Sequence, residues 1–162
     1  MSALLPQSEG FLPLYILFVS LIARSIDSAP FLTSQVGVTA IGNAVQCYNT
    51  LSYTRRLYPG PPSSSKVRQA TAETSPATPL SSRTFGTWTL AVGIVRIFAA
   101  YHINEAAWFQ MQMLTNIIGL VHFGLEAFVY KTSLPSGPWL APTSVATIGL
   151  VWSIAQYGFY VR

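Results

Sequence analysis

Residues 132–161 contain no Asp, Glu, Lys or Arg, and this gap in the charge pattern restricts the fold more than any other feature. A bilayer core of ~30 Å is crossed by ~20 mainly apolar residues in a helix, at ~1.5 Å rise each. The apolar part of the gap, residues 139–160, is long enough. Pro138 and Pro142 suit its first turn, where a missing N–H costs little. Two similar stretches precede it. Between Ala106 and Tyr130 the one charge is Glu126, and between Arg83 and Glu105 the one charge is Arg96. The pattern predicts membrane spans over residues 84–103, 106–130 and 139–160. The connection at Asn104-Glu105 is so short that the first two must form an antiparallel hairpin. Tyr101, Trp108 and Tyr130 stand near span ends, where aromatic rings favour the membrane–water interface.

Composition agrees. The chain has 162 residues, one domain by length, and 9% are charged, against roughly 25% in an ordinary soluble domain. Its mean hydropathy is +0.42, so an ordinary soluble enzyme is excluded. A single cysteine, Cys47, rules out an intrachain disulfide and a cysteine-based zinc site. Two histidines, His102 and His122, cannot form a histidine-rich metal cluster. The dinucleotide, phosphate-loop and zincin motifs do not occur, and the five acidic residues are scattered. No catalytic apparatus, cofactor site or metal site is expected.

The N-terminal third is less regular. Residues 11–23 form an apolar run too short to span comfortably, without the basic leader of a signal peptide. A polar break at Arg24–Pro30 follows, then an uncharged but Ser-, Thr-, Gly- and Asn-rich stretch. Helices are expected over residues 12–26 and 35–56, the number that cross the membrane being left open. Residues 59–82 change composition to proline, serine and threonine, which bury little apolar surface and predict a disordered loop. The expected whole is an all-α integral membrane bundle of about four transmembrane helices.

Five of the nine basic residues, Arg55, Arg56, Lys66, Arg68 and Arg83, sit in or beside that loop. The positive-inside rule places it in the cytosol, with the Asn104-Glu105 turn on the far side and Lys131 back on the cytosolic side. Attraction to anionic lipid is the ordinary consequence of such charges, and nothing points to nucleic acid. Within the spans, Arg96 and Glu126 are costly in hydrocarbon and should turn inward. Their depths differ by more than a direct contact allows: Arg96 lies ~12 Å from the hairpin turn and Glu126 ~33 Å, at helical rise. Arg96 is expected to meet Asn116, groups at the level of His122 or a residue outside the hairpin, and Glu126 to sit near Lys131. His122 and Glu126 share a helix face. They read first as structural polar residues and second as a His122–Glu126 general base. Gly86 and Gly93 permit close helix approach, and Trp88 reads as an interface anchor.

Leu80-Ser81-Ser82-Arg83-Thr84-Phe85-Gly86-Thr87-Trp88-Thr89-Leu90, followed by Val95-Arg96 and Ala100-Tyr101, resembles the signature of the ergosterol biosynthetic protein 28 family. His122-Phe123-Gly124-Leu125-Glu126 resembles its HFxxE element, and Gly42-Asn43-Ala44-Val45-Gln46 with Thr54-Arg55-Arg56-Leu57-Tyr58 is similar too. The resemblance covers most of the chain. It implies a multi-pass protein of the endoplasmic reticulum membrane that is not an enzyme. In that reading it is a scaffold tethering the sterol C-4 methyl oxidase, the decarboxylating C-3 sterol dehydrogenase and the 3-keto sterol reductase. A link to the sterol C-24 methyltransferase and self-association are implied as well. Arg83, Phe85, Gly86, Trp88, Arg96, Tyr101, His122 and Glu126 become the candidate structural or partner-contact residues. The alternative is a small integral-membrane sterol-binding protein or enzyme using His122 and Glu126. Residues 24–40 depart from the family, in which the first apolar run passes directly into the Gly42 element. They read as an insertion, such as a translated intron, which sequencing of mature transcripts would expose.

Overall fold

The computed structural model describes residues 38–61 and 75–161, and every regular element among them is helical. Helix α1 spans Val38–Asn49, α2 Ser52–Leu57, α3 Pro79–Tyr101, α4 Ala106–Gly124 and α5 Leu140–Tyr160. A π turn, Leu125–Val129, prolongs α4, and a 3₁₀ turn, Gly137–Trp139, leads into α5. Three stretches are long and apolar enough to cross a membrane: Pro79–Tyr101, Ala106–Val129 and Gly137–Tyr160. These are the three expected spans. The helix expected over residues 12–26, and Lys66 and Arg68, lie outside the described residues. So does most of the interval 24–40, although its last residues, 38–40, belong to α1.

Three boundaries differ from expectation, each for a local reason. The helix expected over 35–56 is two helices broken at Thr50-Leu51. The Thr50 and Ser52 hydroxyls meet at 3.0 Å there, and such short polar side chains offer the backbone alternatives to helix. Helix α3 begins at Pro79 rather than 84, removing residues 79–82 from the expected loop. Thr78 is its N-cap: its side chain accepts from the Ser81 N–H at 3.1 Å while Ser81 Oγ accepts from the Thr78 N–H at 2.8 Å. Proline follows at the first helical position, where its fixed φ suits the helix. The third difference is the π turn. It ends with the Tyr130 N–H on the Leu125 carbonyl, and the Glu126 carbonyl then accepts from Thr132 and Ser133, stopping the helix.

The helices pack in the order α1, α3, α4, α5, each against the next. At the α1–α3 crossing Gly86 is buried, and a Cβ there would stand 2.9 Å from Cys47 Cβ and 3.1 Å from the Ala44 carbonyl. The seam carries hydrogen bonds as well. Ser82 donates to the Cys47 carbonyl at 2.8 Å, which leaves Thr54 to donate to Ser82 at 2.9 Å. Between α4 and α5, Gly119 faces Ala146, and Gln112 meets Ser153 at 3.2 Å. Small residues and buried hydroxyls are how helices associate where lipid removes the hydrophobic drive.

The two ends of the bundle are distinct. At one end Ala100, Ile103, Phe109 and Tyr160 form a buried cluster beside the 102–105 turn. At the other, Gly60 donates to the Thr132 carbonyl at 2.9 Å, and Ser133 to the Leu57 carbonyl at 2.8 Å. Arg55, Arg56, Arg83 and Lys131 all belong to this second end, as the charge pattern anticipates. The lateral surface inverts the soluble pattern: Ile94, Leu114, Ile118, Val121, Val151 and Ile154 are exposed, while Gln112, Thr115, Asn116 and Ser153 are buried.

Candidate functional site

The basic end holds an open cleft of about 720 Å³ between α3, α4 and the α2 terminus. The reason it forms lies in the periodicity. On α3, Leu80, Thr84 and Trp88 recur at four-residue spacing, and on α4 and the π turn Ile118, His122 and Glu126 do the same. Each set forms one stripe of its helix, and the stripes face a common space. Tyr58, just past α2, and Thr132 close the end.

His122 is the hub. Its Nε2 lies 2.7 Å from the Tyr58 hydroxyl. Trp88 meets the imidazole edge-to-face at 5.1 Å between ring centres, and Phe85 packs against both Trp88 at 5.6 Å and Tyr58 at 6.0 Å. Burial pushes the Tyr58 phenol far above its ordinary range, with the Glu126 carboxylate adding to the effect, so the hydroxyl stays protonated. Glu126 accepts a hydrogen bond from the Thr132 hydroxyl. Lys131, expected near Glu126, precedes Thr132 in the chain, takes a positive φ and has an exposed side chain.

Arg96 lies deeper. Its Nη2 donates to Asn116 Oδ1 at 2.7 Å and its Nε to Thr115 Oγ1 at 3.3 Å. That is the Asn116 partnership the hairpin geometry anticipates, and it joins α3 to α4 rather than reaching Glu126. The other candidates scatter. Gly86 belongs to the α1–α3 seam, Arg83 is exposed on the first turns of α3, and Tyr101 is exposed at the opposite end. Trp88 is half-buried against His122 and Phe123.

So the structure brings Phe85, Trp88, His122 and Glu126 together, and adds Tyr58, Thr54 and Thr132. Tyr58 carries no sequence pattern linking it to His122, 64 residues away. Among the described residues no three of His, Cys, Asp and Glu are grouped to hold a metal ion.

Comparison with known proteins gives one answer. A family profile described as "Erg28 like protein" matches residues 29–151. "Ergosterol biosynthetic protein 28" of Gibberella zeae is 32% identical over 98% of this chain and 95% of its own length. The Saccharomyces cerevisiae protein of the same name is 28% identical over 98% and 88%. The human "Ergosterol biosynthetic protein 28 homolog" is 32% identical over 72% of this chain and 75% of its own. No solved structure matches. The chain belongs to the Erg28 family.

Proposed function

We propose that this protein acts in ergosterol biosynthesis as a non-enzymatic scaffold of the endoplasmic reticulum membrane. It tethers the sterol C-4 methyl oxidase, the decarboxylating C-3 sterol dehydrogenase and the 3-keto sterol reductase, with the sterol C-24 methyltransferase as a linked partner. The family membership supports the pathway. One structural observation supports the role: Arg96 and His122, polar side chains within the spans, tie neighbouring elements of the bundle together. Arg96 is bonded to Thr115 and Asn116 across α3 and α4, and His122 to Tyr58 across α4 and the α2 terminus. Meanwhile the exposed flanks of α4 and α5 offer Leu114, Val121, Val151 and Ile154 to lipid or to other transmembrane helices.

The test is affinity purification from detergent-solubilised membranes together with sterol profiling of a deletion strain. The scaffold reading expects co-purified C-4 demethylation enzymes and accumulated 4-methyl or carboxylated intermediates. An unchanged sterol profile with none of those enzymes recovered would defeat it. Purified protein converting a sterol by itself would defeat the non-enzymatic part.

A further inference from the structure

We propose that the cleft between α3 and α4 is a binding site for one rigid, uncharged lipid bearing a terminal hydroxyl or keto group, a sterol. The inference rests on placing the chain in the sterol pathway, but it adds a ligand that tethering does not require.

Four observations carry it. The first is size and shape: about 720 Å³ lies within the ~300–1,000 Å³ typical of small-molecule sites. The cleft runs from Thr78 to Trp88, ~15 Å along α3 at helical rise. The second is its walls. Phe85 and Trp88 present aromatic rings, and Leu80 and Ile118, both on its lining, are largely exposed at the lipid-facing surface. A ligand can therefore enter sideways from the bilayer.

The third is polar capacity left unused. Trp88 makes no hydrogen bond through its indole N–H among the described residues. His122 is engaged at Nε2 by Tyr58, and its Nδ1 is free among the described residues. Neither atom is sealed in the interior. Such groups beside a lipid-accessible space are costly unless something pairs with them; with Tyr58 donating to Nε2, the Nδ1 carries the imidazole proton, and a hydroxyl or keto oxygen can accept from it or from the indole N–H. The fourth is charge. No Lys or Arg lines the cleft among the described residues, and Glu126 does. A phosphate head group inside the cleft would meet the Glu126 carboxylate and no cation on the described lining, the basic side chains of this end standing outside it, whereas a neutral alcohol or ketone meets no such repulsion.

The probe is dehydroergosterol, read by fluorescence anisotropy with the full chain purified in detergent. Saturable binding is expected, displaced by ergosterol and not by phosphatidylcholine or phosphatidylserine. Trp88→Phe keeps an aromatic ring but removes the N–H and the fused pyrrole, and should weaken binding by about fivefold or more, at least the worth of one hydrogen bond. Ile118→Trp fills the rim without touching the buried contacts, and should weaken it by about tenfold or more. Thermal unfolding in the same detergent confirms that each variant is folded. If Ile118→Trp does not fold, Trp88→Phe decides alone. No saturable binding, equal displacement by either phospholipid, or wild-type affinity in the folded variants would overturn the proposal. Recovery of the sterol enzymes with Ile118→Trp is scored separately, so loss of the ligand and loss of the scaffold are told apart.

Discussion

Gly86 shows how much one missing methyl group decides. A Cβ at that position would sit 2.9 Å from Cys47 Cβ and 3.3 Å from the Tyr48 ring, and the third close atom, the Ala44 carbonyl oxygen, is backbone that cannot swing away. Gly86→Ala should therefore destabilise the protein by about 1–3 kcal/mol, the usual cost of overpacking. At Gly124 and Gly158 nothing lies within 4 Å of an added Cβ. Alanine there should be neutral or stabilising by up to about 1 kcal/mol through helix propensity. Thermal unfolding in detergent separates the two outcomes. Asn116 offers a second residue-level test. Its Oδ1 accepts from Arg96, but its Nδ2 is buried with no partner among the described residues. Asn116→Asp removes that orphan donor and gives the guanidinium a charged acceptor, so melting should rise by the equivalent of about 1 kcal/mol. Asn116→Ala should lower it by about 1–3 kcal/mol.

At the level of elements, the long helices were readable because a span must be both apolar and long. Charge gaps report both properties directly. Short features depend on particular side chains instead. The start of α3 at Pro79 was written in Thr78-Pro79-Leu80-Ser81, an N-cap with proline at the first position. The proline-rich composition around it masks that signal. The break at Thr50 is local, two short hydroxyl side chains meeting across Leu51, a signal too slight to stand out in a Ser- and Thr-rich stretch, and the pairing of Tyr58 with His122 spans 64 residues of chain, where local periodicity says nothing. The same elements give a pH prediction. In α2, burial pushes the Tyr53 phenol up to about 12, and Tyr58 is raised further in the same direction. A raised phenol pKa means the unfolded chain ionises first, near its ordinary ~10. The stabilising contribution is therefore complete below ~10 and is lost as pH climbs toward the folded values. Absorbance titration at 295 nm should show tyrosines ionising near 12 or above in the folded protein, and Tyr53→Phe should remove one of them. All eight tyrosines titrating together near ~10 would contradict the buried placement of α2.

For the whole molecule, sidedness follows from combining two independent patterns. The 57–60 and 132–133 segments are hydrogen-bonded to each other, so they occupy one end of the bundle, and the 102–105 turn must occupy the other. Arg55, Arg56, Arg83 and Lys131 cluster at the first end, while Glu105 is acidic at the second. Basic residues resist translocation, so the first end is expected on the cytosolic side. Cys47 is the one cysteine and is buried, and Cys47→Ala keeps its Cβ at the Gly86 contact, which makes a clean background. In sealed microsomes, Ser136→Cys should react with a membrane-impermeant maleimide immediately, and Asn104→Cys only after permeabilisation; both positions are exposed. The reverse pattern would overturn the orientation while leaving the bundle intact, since the geometry fixes only that the ends are opposite. Simultaneous labelling of both would be more damaging, because no antiparallel hairpin of α3 and α4 through a bilayer puts those two residues on one side.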